Sequence, residues 1–183
     1  MTGTVGFTRM SDGTAEDYRL LAEHEAEELA AFPARVLGWL REMDVPSGYQ
    51  VTRLEHSLQA ATRAHRAGES EEMVVCALLH DIGDVLGPAN HSEVAAAVLR
   101  PYVSDRSHWI VEHHGLFQEA YYAHHYGRDP DGRERYRDHP YYDATVEFCA
   151  RYDQVSFDPD YDWEPLRFFA PMVHRVLATP RWP

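Results

Sequence analysis

Apolar residues recur every three to four positions along most of the chain, which is the period of an amphipathic helix. The pattern predicts a first helix over residues 15–43, in which Pro33 is expected to break or restart the helix. Residues 1–14 before it are polar and contain glycine, so we expect a flexible N-terminus.

Six further helices are predicted by the same periodicity and by the turn residues between them. They cover about residues 51–66, 70–80, 90–99, 104–114, 140–155 and 166–177. Gly68 and Gly115 are expected to end the helices that precede them. No convincing strand alternation or repeat is present, so the sequence predicts one all-α domain over residues 15–183.

Composition narrows the class of partner. Of 183 residues 44% are hydrophobic, enough for an ordinary core, and the net charge of −13 disfavours binding to nucleic acids and anionic membranes. The chain has no apolar run of membrane-spanning length and does not begin like a signal peptide. Cys76 and Cys149 lie in apolar stretches and form no CxxC pair, which favours reduced thiols. We therefore expect a cytoplasmic protein that acts on a small molecule; its oligomeric state stays open.

Histidine is the residue that stands out, with 12 copies, and imidazole is the commonest metal ligand in proteins. His80 and Asp81 are adjacent at the end of an apolar helix, in ALLHDIGD. Burying such a pair is costly unless it has a partner. Further candidate ligands lie on or at the ends of other predicted helices: His56, His91, His114 and Asp153. Four imidazoles and two carboxylates favour iron, manganese, zinc or cobalt over calcium or magnesium.

The order H…HD…H…H…D resembles the HD superfamily over residues 48–177 or so. The resemblance implies an HD-domain helical bundle with two metal ions, one of them held by four residues: His56, His80, Asp81 and Asp153. Asp81 would bridge to a second ion, held also by His91 and His114. His113 is the alternative to His114, because neighbours on a helix point about 100° apart and only one can face the metals.

Two segments resemble the oxygenase branch of this superfamily. VEFCARYDQVSFDPDYDWEPLRFFAPMVHRV is similar to the C-terminal part of myo-inositol oxygenase, and QVTRLEHSLQAA looks like the segment around the first histidine of the phosphonate-cleaving oxygenases. This implies two iron ions in the mixed-valent Fe(II)/Fe(III) state, O2 as co-substrate and a small hydroxylated substrate. The alternative is an HD-type phosphohydrolase that uses manganese, cobalt or zinc.

One position departs from these relatives. Asp84 stands three residues after Asp81, where they carry lysine or histidine, and a carboxylate there would repel a phosphate by about 4 kcal/mol at ~4 Å and an effective dielectric of ~20. We expect Asp84 to face the substrate and to favour an amine or ammonium group, helped by Tyr49 and by the tyrosines at 121 and 122. The alternative for Asp84 is a supporting contact to a ligand histidine or to an arginine. His124, beside His125, is a further candidate for substrate contact.

Overall fold

The computed structural model describes residues 3–181 of the chain. That part is built from seven α-helices with short 3-10 turns between them, and it contains no β-strand. The helices are α1 (Ala15–Glu42), α2 (Arg53–Arg66), α3 (Glu71–Leu79), α4 (His91–Leu99), α5 (Asp105–Tyr122), α6 (Tyr142–Phe148) and α7 (Leu166–Val176). The predicted all-α fold class is confirmed.

Local polar residues define where the helices begin. The hydroxyl of Thr52 accepts from the backbone N–H of Glu55, whose carboxylate accepts from the backbone of Thr52 in return, so α2 starts with a capping box. Ser70 and Ser104 cap α3 and α5 in the simpler one-sided way. These caps fix the register of three helices that carry candidate ligands.

The prediction that Pro33 breaks the first helix is wrong. Helix α1 continues through Pro33, which is buried, and the buried apolar residues of the helix, Val36, Leu37 and Leu40, follow it. A proline inside a helix forfeits one backbone hydrogen bond. The burial of the apolar face that follows Pro33 stabilises the helix and offsets this loss.

Residues at the N-terminus lie along the first half of α1. The hydroxyl of Tyr18 donates to the backbone carbonyl of Met10, and the ring of Phe7 is 5.8 Å from that of Tyr18. Residues 1 and 2 lie outside the described residues. The flexibility expected for residues 1–14 therefore stays a prediction, and so does the domain boundary at residue 15.

Gly115 does not end the fifth helix, as the sequence had predicted; α5 runs on to Tyr122. A Cβ at Gly115 would lie 2.6 Å from Oγ of Ser92 on α4. The glycine therefore permits close packing of α5 against α4 instead of providing a left-handed end. Because α5 continues, residues beyond His114 are held on a rigid helix instead of a loop.

The helix around Asp153 is also different from its prediction. Helix α6 ends at Phe148, and the chain then widens into a π-helical turn over Cys149–Asp153. Such wide turns are rare and often occur at functional sites, because the inserted residue changes the direction of the side chains that follow. Asp153 is the last residue of this turn.

Helix pairs bring these segments together. Helix α2 packs mainly against α3, α4 packs against α5, and the turn at Asp153 contacts α2. Both cysteines are buried and unpaired, as their apolar surroundings predict. None of the helices within residues 3–181 is long and apolar enough to cross a bilayer.

Candidate metal centre

The six predicted ligands meet at one place in the helical bundle. His56 lies in the first turns of α2, His80 and Asp81 follow α3, His91 begins α4, His114 lies in the middle of α5, and Asp153 ends the π-helical turn. Five of the six are buried, with at most 8% of each residue exposed, and His91 is half-buried. The fold thus gathers residues separated by up to about a hundred positions into one cluster.

Asp81 stands between two groups of histidines. Its Oδ2 is 3.5 Å from Nε2 of His56 and 3.7 Å from Nε2 of His80. Its Oδ1 is 3.2 Å from Nε2 of His114 and 3.4 Å from Nε2 of His91. Each carboxylate oxygen therefore faces a different pair of imidazoles, which is the arrangement of a carboxylate that bridges two ions.

The donor atoms are close enough to share ions. The ligand atoms of His56, His80 and Asp81 all lie within 4.8 Å of one another, and so do those of Asp81, His91 and His114. A third group consists of His80, His114 and Asp153. It shares His80 with the first group and His114 with the second, so the three groups form one cluster. The cluster can hold two neighbouring ions.

Hydrogen bonds fix the tautomer of three of these histidines. The Nδ1 atoms of His56, His80 and His114 lie 2.9, 2.8 and 2.7 Å from backbone carbonyl oxygens, which can only accept a hydrogen bond. In the neutral rings Nε2 is then a bare acceptor. Nε2 of His56 is nevertheless only 3.1 Å from Nε2 of His80. Two lone pairs so close need a cation or a proton between them, and a metal ion fits.

Asp153 closes the inner side of the cluster. Its Oδ1 accepts from the side-chain amide of Gln118 at 3.0 Å and lies 3.4 Å from Nε2 of His56. Its Oδ2 is buried and, within residues 3–181, has no hydrogen-bond partner. A buried carboxylate oxygen is rarely left unsatisfied, so a metal ligand role accounts for it.

The histidines and carboxylates of the cluster shift one another's pKa values. Burial lowers the pKa of His56 and of His80, but the carboxylates of Asp81 and Asp153 outweigh it and raise both pKa values above the ordinary one. Burial alone would raise the pKa of Asp81, yet the surrounding imidazoles, led by His80, hold it well below its usual range. Burial alone would also raise the pKa of Asp153, but hydrogen bonds from His56 and His80 lower it, so both carboxylates are ionised at neutral pH.

The structure separates the two adjacent histidines of α5. His114 is buried with its Nε2 beside Asp81, whereas the ring of His113 stacks on Trp109 at 3.6 Å. Nδ1 of His113 lies 3.1 Å from the backbone carbonyl of Trp109. Of the two alternatives, only His114 reaches the other ligands.

A cavity of about 640 Å³ opens onto this cluster, within the size range of small-molecule sites. Tyr49 lines it; the residue is 60% exposed, and its ring lies 4.7 Å from that of Phe157. His124, expected to contact substrate, is exposed and lies outside the cavity wall, which His125 joins instead. The two residues share a 3-10 turn, in which successive side chains point about 120° apart.

Asp84 also lines the cavity, and its contacts are those of the alternative given in the sequence analysis, to an arginine and to a candidate ligand histidine. Its Oδ2 forms an ion pair with the guanidinium of Arg53, and its Oδ1 is 3.8 Å from Nδ1 of His91. Burial, and next the charge of Asp81, raises the pKa of Asp84, against the effect of Arg53. Because Arg53 offsets its charge, Asp84 presents little net negative charge to a ligand.

Several residues of the cavity wall were missed from the sequence, among them Arg53, Gln118 and Phe157, which contact the candidate ligands or Asp84. Arg53 precedes His56 by three positions and Gln118 follows His114 by four, so each shares a helix face with a predicted ligand. That spacing could have found Arg53, and also Gln118 had Gly115 not been interpreted as a helix end. Phe157 lies in a loop and carries no such signal; its ring stacks on His56 at 4.3 Å.

Two comparisons with known proteins relate this chain to others by sequence. A 36-residue segment is 58% identical to part of a (1-hydroxy-2-(trimethylamino)ethyl)phosphonate dioxygenase (glycine-betaine-forming) from Leisingera caerulea. The segment makes up 20% of this chain and 18% of that relative, so the chain matches less than a fifth of the relative's length. The HD domain pattern matches residues 53–147, just over half of the chain, and the chain therefore belongs to the HD-domain family.

Proposed function

We propose that the protein is a di-iron, O2-dependent oxygenase that oxidises or cleaves a small hydroxylated substrate carrying an ammonium group. The observation that carries this proposal is the placement of Asp81 between two pairs of imidazoles, at the base of one cavity. The proposed ligands are His56, His80, Asp81, His91, His114 and Asp153.

The donor set suits iron. Imidazole and carboxylate ligands together are those of non-haem iron sites, and no thiolate is close enough to Asp81 to favour a softer metal within the described residues. Bound iron would supply the one-electron chemistry that reaction with O2 requires. His91, His114 and the shared Asp81 would hold the second ion, and a set of so few protein ligands would leave room for a substrate.

The substrate class is supported by the cavity and by the relative. Tyr49, Phe157, Tyr122 and Tyr126 give the cavity an aromatic wall, and the rings of Tyr122 and Tyr126 meet edge to face at 6.1 Å. Aromatic faces bind quaternary ammonium groups through cation–π attraction. The relative's name specifies a hydroxylated trimethylamino compound. We assign the ammonium preference to these rings, because the charge of Asp84 is offset by Arg53.

The protein's own residues orient and enclose the reacting groups. Gln118 holds Asp153 through its amide, so that the carboxylate keeps its direction. Phe157 covers His56, and Tyr49 covers Phe157 in turn, which excludes water from that side of the cluster. Tyr49 is thus proposed to act by shielding and by contact with the ammonium group.

Hydrolysis of a phosphate ester is the second candidate function. It is favoured by two arginines on the cavity wall, Arg53 and Arg128, since guanidinium groups bind phosphate oxygens well. Manganese, cobalt or zinc would then replace iron.

The two candidate functions are distinguished by assaying the protein with the metal and the substrate that each reaction requires. The protein would be purified without oxygen, loaded with iron, and analysed for metal content and by electron paramagnetic resonance. O2 uptake would then be followed with (1-hydroxy-2-(trimethylamino)ethyl)phosphonate and with other small hydroxylated ammonium compounds. In parallel, the manganese and cobalt forms would be assayed with p-nitrophenyl phosphate, with Asp81→Ala as the metal-free control.

We expect two iron ions per chain, a mixed-valent signal that changes when substrate is added, and O2 uptake that depends on substrate. Phosphatase activity should not exceed that of the metal ions alone. Strong phosphatase activity that needs His80 and Asp81, without O2 uptake on any compound tested, would favour the hydrolase and exclude the oxygenase.

A further inference from the structure

The first half of α1 contributes no buried residue to the helical bundle. The buried residues of this 28-residue helix all lie in its second half: Pro33, Val36, Leu37 and Leu40. The first half, residues 15–31, is called the arm below, and it is about 25 Å long because a helix rises about 1.5 Å per residue. A helix of this length is marginally stable in water unless another surface packs against it. The arm would therefore be stabilised by a surface that covers it.

The apolar face of α1 continues along the arm. Ala22, Ala26 and Leu29 extend the stripe of Pro33 towards the N-terminus at spacings of three and four residues, so they share one side of the helix. All three alanine and leucine side chains are exposed, and Leu29 is 48% exposed. The N-terminal segment covers a different side, where Nε2 of His24 lies 3.0 Å from one of its backbone carbonyls. Within residues 3–181 the apolar stripe of the arm is thus left open to solvent.

The borders of this stripe are acidic. Four exposed glutamates lie beside it, two on either side: Glu23 and Glu27, then Glu25 and Glu28. If two arms packed directly on each other, these carboxylates would face one another, and like charges at such spacing destabilise a helix pair. The arm is therefore complementary to a basic surface with an apolar floor and is not complementary to a second arm.

A groove of about 700 Å³ between α1 and α7 has these properties. Its basic residues are Arg41, Arg167 and His174, and no acidic residue among those described lines it. The guanidinium of Arg41 donates to a backbone carbonyl of its own helix at 3.2 Å, and within residues 3–181 neither arginine pairs with a carboxylate. The floor is apolar and is formed by Pro165, Leu166, Ala170 and Pro171. In a chain with 30 acidic and 17 basic residues, this groove is a basic surface that fits an acidic helix.

We propose that two copies of this chain form a dimer in which the arm of each copy lies in the α1–α7 groove of the other. The apolar stripe of the arm would cover the apolar floor, and its glutamates would pair with Arg41 and Arg167. If the two α1 helices run antiparallel about a two-fold axis near Phe32, Glu23 of one copy lies opposite Arg41 of the other, because both positions are equally far from that axis along the helix. Each copy then offers one arm and one groove, so the assembly closes at two chains.

This dimer does not depend on the proposed function. The groove shares no residue with the cavity at the metal centre, so the chemistry of that centre neither supports nor weakens the pairing. Charge complementarity selects a second copy over a neutral partner, since this chain itself supplies the acidic helix that the groove fits.

The first test is a charge exchange, followed by sedimentation equilibrium of the full chain. One variant carries Arg41→Glu and Arg167→Glu, and the other carries Glu23→Arg and Glu27→Arg. Arg106→Glu is the matched control, because Arg106 is an exposed arginine of α5 outside the groove. Circular dichroism and metal content verify that each variant is folded.

We expect the unmodified protein to sediment with twice the mass of the chain. Each double variant should associate at least about tenfold more weakly, because arm and groove then carry the same charge. A mixture of the two variants should recover the dimer, since every arm again meets a groove of opposite charge. The Arg106→Glu control should behave as the unmodified protein.

The second test is a disulfide between copies. Glu23→Cys and Arg41→Cys would be combined in one chain and oxidised. The two positions are about 27 Å apart along their own helix, so a disulfide between them can form only between two copies. The native cysteines, Cys76 and Cys149, are buried and leave the new pair to react. We expect a linked dimer from the double variant and much less of it from either single variant.

Three outcomes would overturn the dimer. The first is a single-chain mass at every concentration, which would leave the groove to a different acidic partner. The second is a dimer that survives charge reversal of the groove, because the chains would then associate through another surface. The third is failure of the mixed variants to associate, since restored complementarity should restore the interface.

Discussion

The two sides of the candidate metal centre differ in how firmly they are built. The inner side, His56, His80 and Asp153, is at most 3% exposed and is closed by α2, α3 and the π-helical turn. On the outer side the side chain of His91 is 31% exposed and lines the cavity. An ion on the inner side would be held by buried ligands, although His56 and Asp153 also line the cavity, and an ion on the outer side would have one ligand that solvent reaches.

The histidines of the two sides also differ in the groups that hold their Nδ1 atoms. The Nδ1 atoms of both inner histidines are held by backbone carbonyls, whose positions are fixed by the fold. Nδ1 of His91 instead faces the carboxylate of Asp84 at 3.8 Å, and that carboxylate also pairs with Arg53. On the outer side His114 is also held by a backbone carbonyl, at 2.7 Å, so only His91 has a side-chain support. Such a support can shift with its surroundings, and the comparison indicates that His91 is the adjustable ligand of the cluster.

The largest effect should come from the residue that the two sides share. Asp81→Ala should lose both metal ions, because each of its oxygens faces a different pair of imidazoles. Metal content by mass spectrometry measures this, with Asp162→Ala as control, since that carboxylate is 94% exposed and outside the cluster. Retention of two fully occupied ions in Asp81→Ala would contradict the bridging role.

Replacing one outer ligand should remove one ion. His114→Ala should empty the outer position and abolish activity, whereas His113→Ala should keep two ions and lose stability only, through its stack on Trp109. That loss should be about 1 kcal/mol, typical of a partly buried aromatic contact, and is measured by chemical denaturation. The reverse pattern of metal loss would show that the two histidines exchange roles.

Metal removal should occur in two steps. With a chelator such as EDTA in excess, we expect the outer ion to leave first, because the side chain of its ligand His91 is 31% exposed, whereas the ligands on the inner side are buried. The inner ion should follow more slowly. Stopped samples analysed for bound metal would show a plateau near one ion per chain. Loss of both ions at a single rate would remove the distinction between the two sides.

The smallest effect is expected for Asp84. Asp84→Asn should keep both ions at saturating metal but weaken the outer one by about tenfold, since partners of ligand histidines contribute at that level. The affinity for the inner ion should not change, which two-step metal titration measures. If the variant instead retains both affinities and binds ammonium ligands about tenfold less tightly, Asp84 contacts the substrate directly, and our assignment of that role to the aromatic wall is wrong.

Much of this protein could be predicted from its sequence, for local physical reasons. Helical periodicity and caps such as Thr52 act over a few residues, so they predict the helices and the all-α class correctly. The order H…HD…H…H…D and its resemblance to the HD superfamily were sufficient to name six residues that the fold brings together. The choice of His114 over His113 also needed only the helical angle and the resemblance.

Other features depend on contacts between segments far apart in the chain, and only the tertiary structure decided them. Gly115 permits close packing instead of ending a helix because α4 happens to pass beside it, and Pro33 stays within α1 because a buried face follows it. The partner of Asp84 is Arg53, 31 positions away, and this ion pair changes the charge that the cavity presents. A local pattern carries no information about such partners, since they are determined by how whole helices pack.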